Sequence, residues 1–269
     1  MGLANSKNAS SLLSQLLQAL PEGVAVPSSW LSAQGISPQL VRKYVASGWL
    51  VRLALGVYAR PAFPVGWQGA VLGLQRLAHR SVHVGGLSAL NLQNLAHYLP
   101  LGGESSIHLW NDAAPARMPS WITGIALPQT MVFHREELFD STLASEGLAK
   151  VSTQVRDWTL TVSAPERAMM EVLSLVDETP ESFSHAAELF EGLPALRPAL
   201  VQRLLVGCRS IKVKRLFLFL ATRQGEPWSR KLDVAQIELG SGKRMVTRGG
   251  RLDARFLITV PENLHAGSK

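Results

Sequence analysis

Gln39, Arg42, Lys43 and Ala46 stand at i, i+3, i+4 and i+7, the spacing that puts them on one side of a helical segment. Arginine and glutamine can each form a bidentate pair with a base edge, and lysine can neutralise a phosphate. Arg52 and Arg60 lie on either side of a short turn that follows. These five polar residues suit contacts to a nucleic acid duplex. Among residues 1–61 only Lys7, Arg42, Lys43, Arg52 and Arg60 are basic and Glu22 alone is acidic. The segment therefore carries +4 of the formal +7 of the chain. A polyanion rewards that asymmetry through counterion release. A domain used for protein contacts, with the charges merely solvated, is the alternative.

Residues 35–61, GISPQLVRKYVASGWLVRLALGVYARP, contain the elements that must hold these side chains. Ser37 is a good N-cap and Pro38 suits the first helical position, where its missing N–H costs nothing. A helix is expected over 38–47, with Leu40, Val41, Tyr44 and Val45 on the buried face. Gly48 stops it. Residues 49–53 alternate as a strand, 54–56 supply a turn, and 57–59 return. Upstream, residues 11–20 form a packing helix, and 28–34 read as a second helix ending in a sharp turn at Gly35. Helix, helix, helix and hairpin in this order are the pattern of a winged helix-turn-helix.

The chain has 269 residues, 46% hydrophobic and 17% charged, enough for two domains with a substantial core. Its pI of about 9.9 favours an acidic partner. With Cys208 alone, no intrachain disulfide can form, and a reducing cytoplasm is expected. With a polar N-terminus no secretory signal is expected, and no apolar run approaches a membrane span.

After a hinge at 61–64 (PAFP), a second domain of mixed α and β structure is expected over 62–269. Helices are expected over 66–78, 87–98, 182–192 and 198–206, with 212–222 helical or extended. Strands are expected over 81–86, 106–110, 122–126, 131–134, 158–162, 236–239, 244–247 and 256–260. Ser163 is read as the cap of a helix beginning near Ala164 and Pro165, with Glu166 completing a capping box. Arg167 is read as a surface or interdomain ion pair.

Two further basic groups, Arg209, Lys212, Lys214 and Arg215, then Lys243, Arg244, Arg248, Arg251 and Arg255, could make a second positive surface. Residues 151–269 carry 17 basic against 13 acidic residues, so solvated charge serves equally well. The run Gly240-Ser241-Gly242-Lys243 is not a phosphate loop. That motif needs a glycine five places before the Gly-Lys pair and Ser or Thr after it, and Ile237 and Arg244 stand there. His79 and His83 lack the neighbours of a zinc site, and Cys208 reads as structural despite Arg209 beside it. No spaced carboxylates suggest metal-dependent catalysis. No cofactor, metal or enzymatic activity is expected.

The stretches Gly35-Ile36-Ser37, GWLVRLALGVY (48–58), VHVGGLSAL (82–90), SAPERA (163–168), CRSIKVKRLFL (208–218) and GSGKRMVTRGGRLDARFLITVP (240–261) together resemble the AbiEi family of antitoxins from type IV (abortive infection) toxin–antitoxin systems of bacteria. The resemblance covers nearly the whole chain, with a winged helix at about 8–61 and an antitoxin domain at about 62–262. It implies an autorepressor that binds repeats upstream of its own operon. It also implies a C-terminal domain that counters an AbiEii-type nucleotidyltransferase toxin without requiring a stable complex. Where many relatives place a basic residue before the wing glycine, Leu55 stands here, which leaves a wing phosphate contact to Arg52. A transcription factor with a ligand-sensing second domain, or a degenerate nuclease-like or nucleotidyltransferase-like enzyme, is the alternative.

Overall fold

A computed structural model describes residues 2–96, 106–111, 118–134, 137–193 and 195–262, and the side chains from residue 11 onward. The chain opens with α1 (Gly2–Ala19), β1 (Val26–Pro27), α2 (Ser28–Ala33) and α3 (Pro38–Ala46), followed by the hairpin β2 (Val51–Ala54) and β3 (Val57–Ala59). The three strands form an antiparallel sheet in the order β1-β3-β2. Leu16, Leu20, Trp30, Leu31, Ile36, Val41, Tyr44 and Leu50 meet beneath it. The leucine spacing of α1 and the buried positions of α3 are those the periodicity predicts.

Next come α4 (Trp67–Leu72), which runs on as a π-helical turn over Gly73–Leu77, then β4 (Val82–Val84) and α5 (Gly86–Leu92). The end of the helix expected over 87–98 lies outside the described residues. β5 (Ser106–Asn111), α6 (Ser120–Thr123), β6 (Thr130–His134), β7 (Leu148–Ser152) and β8 (Thr159–Ser163) follow. The strand expected over 122–126 is instead the short helix α6, with Ile122 buried. β7 has no counterpart among the expected strands; it pairs antiparallel with β8 from Leu148 opposite Ser163 to Ser152 opposite Thr159. The five strands form one mixed sheet in the order β6-β5-β4-β8-β7.

Alternation divides the faces of this sheet. Val82, Val84, Ile107, Leu109, Leu160 and Val162 join the same core as α1 and α3. His83 and Ser163 instead reach α7 (Pro165–Leu175). Helices α8 (Pro180–Glu191), α9 (Pro198–Gly207) and α10 (Ile211–Gln224), with the hairpin β9 (Arg251–Asp253) and β10 (Ile258–Val260), complete a second core around Phe183, Phe190, Phe217, Trp228 and Phe256. α10 settles the ambiguous stretch 212–222 as helix, so Lys212 and Lys214 do not share an extended face. Of the late strands expected, only the last overlaps one observed. Residues 234–236 are a 3-10 turn, and Arg244 touches Ile258 only as an isolated bridge.

The first core passes residue 61 without a break. A β-carbon on Gly69 would lie 1.7 Å from the Gly23 carbonyl oxygen, and one on Gly73 2.0 Å from that of Ala25. Only glycine lets α4 and its π turn seat directly on that backbone. Gln75 then bridges β4 and β8. Its Nε2 donates to the Val82 and Thr161 carbonyls at 2.9 and 3.0 Å, and its Oε1 accepts from Thr161 N at 2.9 Å. Among the described residues, no helix is long and apolar enough to cross a membrane.

Candidate nucleic-acid interface

α3 is built as its sequence dictates. Ser37 Oγ accepts from Leu40 N at 3.3 Å and Pro38 occupies the first turn. Gly35 turns the chain at φ +76°, and Ile36 N donates to the Leu31 carbonyl at 3.0 Å, which fixes α3 against α2. Val41 and Tyr44 are buried, while Gln39, Arg42, Lys43 and Ala46 are all exposed. The Arg42 guanidinium lies along its own helix, Nε donating to the Pro38 carbonyl at 3.4 Å. Arg52 is exposed on β2, its Nε 3.2 Å from the Ala54 carbonyl oxygen. Ser28 N holds the hairpin turn through the Gly56 carbonyl at 2.7 Å.

Arg60 is placed differently. It is half-buried, with Nη2 2.7 Å from Glu22 Oε1 and Nη1 donating to the Leu17 carbonyl at 3.4 Å. Its charge is matched within the fold, and it ties the return strand to the end of α1. The partner Glu22 is remote in sequence, and no local pattern announces it.

The expected second basic surface is not one surface. Lys214 and Arg215 are interior, at 4% and 1% exposure. Arg215 donates to the carbonyls of Leu239, Gly242, Gly240 and Leu257 at 2.8, 2.7, 3.0 and 3.3 Å. The GSGK run is therefore a loop wound around a guanidinium, with Gly240 and Gly242 at φ +63° and +75°. Lys214 Nζ lies 3.4 Å from the Val206 carbonyl oxygen, and Lys212 Nζ donates to those of Ser174 and Val176. Arg209 pairs with Glu137 and Asp140, and Arg248 with Glu178. Lys243, Arg244, Arg251 and Arg255 are exposed. The correction has a simple cause: a buried arginine satisfied by carbonyl groups looks the same in sequence as a solvated one.

A polar cluster that the sequence did not reveal lies under the mixed sheet. Glu171 is fully buried. Its carboxylate receives His83 Nε2 at 2.9 Å, Gly86 N at 2.8 Å, Ser163 Oγ at 2.7 Å and Arg167 Nε at 3.1 Å. Arg167 also donates to the carbonyls of Leu143, Ala144 and Glu146 and lies over the Phe139 ring. Burial alone would raise the Glu171 pKa. The His83 charge and hydrogen bond, the Arg167 charge and the Ser163 hydroxyl outweigh it and hold the carboxyl below its usual value. Ser163 is thus not the helix cap; Ala164 occupies that position without a side-chain bond. Glu166 does not close a capping box either. It grips Arg197 through backbone N, Nε and Nη2, each at 2.9 Å. The void beside Glu171 is about 10 Å³, room for at most one water molecule and none for a substrate. The cluster joins β4, α5, β8 and α7 at one point.

Next to it His108 Nδ1 and His134 Nε2 are 2.8 Å apart, and the His134 ring stacks on Trp110 at 4.1 Å. Burial, and then the His108 charge, lower the His134 pKa to about 4 despite the pull of Glu171. His79 turns at φ +48° and His83 sits in a strand against Glu171, so the two do not share a helical face. Among the described residues, no three His, Cys, Asp or Glu side chains group as metal ligands. Cys208 is buried, and that burial pushes its thiol up to about 11, so the thiolate is scarce at neutral pH.

The structure resembles the crystal structure of the RV2827C protein from Mycobacterium tuberculosis. The TM-score is 0.55, with 18% sequence identity, over 94% of this chain and 90% of that one. At that identity the likeness speaks to fold alone. No curated protein matches the sequence. Two family models match it. One, a transcriptional regulator AbiEi antitoxin N-terminal domain, covers residues 9–101; the other, a transcriptional regulator, AbiEi antitoxin of a type IV toxin–antitoxin system, covers 104–261. Matched along nearly its whole length, the chain belongs to the AbiEi antitoxin family of type IV toxin–antitoxin systems.

Proposed function

We propose that residues 1–61 form a winged helix-turn-helix whose third helix, α3, enters the major groove of its own operator. The protein then represses its operon and, through residues 62–269, counters an AbiEii-type nucleotidyltransferase toxin without catalysis of its own, in the bacterial cytoplasm. The observation that carries the DNA-binding reading is the exposed stripe of Gln39, Arg42, Lys43 and Ala46, opposite a buried Val41 and Tyr44. Such a helix is anchored on one side and open to a groove on the other. Gln39 and Arg42 reach base edges, Lys43 and Arg52 neutralise phosphates, and Arg60 acts indirectly by fixing the root of the hairpin. The family descriptions, which name a transcriptional regulator, support the same reading.

The test is a gel-shift titration on the region upstream of the operon. Replacing Arg42 and Lys43 together by alanine should weaken binding, relax discrimination at the base that Arg42 reads, and reduce the slope of log K against log salt by about 1, for the phosphate that Lys43 no longer neutralises. Unchanged affinity and slope would remove α3 from the interface. Co-expression with the neighbouring toxin gene tests the other half: growth should be rescued by the full chain, with the double variant retaining rescue.

A further inference from the structure

A cleft of about 730 Å³ opens where the end of α1, the root of the hairpin, the 61–66 linker and the β7–β8 turn meet. Its size is that of a small-molecule site, and junctions of this kind are where such sites concentrate. Phe63 and Trp67 supply aromatic wall, and Phe63 is 61% exposed although it stands between two prolines that restrict the linker. Val155 adds apolar surface from the β7–β8 turn.

The polar walls have a sign. Arg60 and Arg156 both line the cleft, against the single carboxylate of Glu22. Glu22 already pairs with Arg60 at 2.7 Å. Arg156 Nη1 and Nη2 donate to the Gln18 and Leu17 carbonyls at 2.7 and 3.1 Å, so among the described residues dipoles and not a carboxylate meet its charge. Its backbone stands at φ +49°, a conformation that an arginine adopts at a cost. The turn carrying it is stiffened by Thr153, whose Oγ1 donates to the Trp158 carbonyl at 2.7 Å and accepts from Val155 N at 3.2 Å.

We propose that this cleft binds a small aromatic anion, its ring against Phe63 and Trp67 and its acidic group toward Arg156. The site does not depend on contact with DNA. Such a ligand would touch both sides of the linker at once, so it would be placed to report a small-molecule state to the hairpin root through Arg60.

Anilinonaphthalene sulfonate serves as the probe, titrated by fluorescence into the full-length protein. Saturable one-to-one binding is expected. Phe63→Ala and Arg156→Gln should each weaken it about ten-fold, a loss of roughly 1.4 kcal/mol. N-phenylnaphthylamine, which lacks the sulfonate, should bind wild type about ten-fold more weakly, by the same arithmetic. Phe63 is exposed, so its variant folds even where loss of the Arg156 tie to α1 does not permit the other. A titration that does not saturate, equal affinity for the neutral amine, or affinity unchanged in Phe63→Ala would overturn the proposal.

Discussion

Glu171 is where a single atom group decides most. Its carboxylate is the acceptor for donors from β4, α5, β8 and its own helix. Glu171→Leu should cost about 3–5 kcal/mol in urea unfolding, because His83 and Arg167 are left buried without their counter-charge. The pH dependence follows from the direction of two shifts. Glu171 is held below its usual value, so its contribution is complete above about 4.5, the unfolded pKa, and fades as pH falls through the lower folded value. His134 works earlier. Its pKa near 4 in the fold lies below the ordinary 6.5, so the unfolded chain takes up a proton first and stability declines as pH falls from about 6.5 toward 4. His134→Gln should make that window shallower in a stability–pH profile, with His108, also held below 6.5 by burial, keeping part of it, and leave the more acidic one. None of this is legible in the sequence: Ser163 and Glu166 present themselves there as capping residues, and no local pattern links His83 to Glu171.

At the scale of elements, α3 and the seam at Gly69 and Gly73 separate the readable from the hidden. Ser37, Pro38 and the spacing of Val41 and Tyr44 announce α3, its cap and its buried face, and each stands where expected. Ser37→Ala should lower the unfolding free energy by about 1 kcal/mol, the usual worth of such a cap. The π turn after α4 and the unforeseen β7 have no such markers. Gln75 is the clearest case. Nothing in its neighbours marks it as a bridge between strands, yet it makes three bonds to β4 and β8. Gln75→Leu should destabilise the protein by about 1–3 kcal/mol, since the Val82 and Thr161 backbone groups lose their partners. Retained stability would show that the strands close on each other without it.

Across the whole molecule, charge is sorted by burial. The sequence shows basic groups toward both ends. The fold leaves Arg42, Lys43 and Arg52 in solvent, takes Lys214 and Arg215 inside, and matches Arg60, Arg209 and Arg248 with acids. Arg60 is the charge on which this sorting can be tested. Arg60→Gln and Glu22→Gln should destabilise the protein similarly, by roughly 1 kcal/mol each for a partly exposed pair. If the Arg60 variant instead lowers operator affinity as strongly as loss of Arg42 while stability holds, Arg60 contacts the nucleic acid directly. Apolar packing is also organised at this scale, since α1, α3 and the mixed sheet share one cluster across residue 61.

What the sequence determined by itself is local or cumulative: the cap and apolar period of α3, the hairpin turn at Gly56, the excess of positive charge in the first 61 residues, and the motifs that mark the family. Such features depend on neighbours a few residues apart or on sums over a segment. Only the tertiary structure decided which arginines face water, that Glu171 gathers four donors, and that a cleft opens beside the linker. Those outcomes rest on partners brought together from distant parts of the chain, and desolvation, which a sequence does not display, sets whether each charge must be matched.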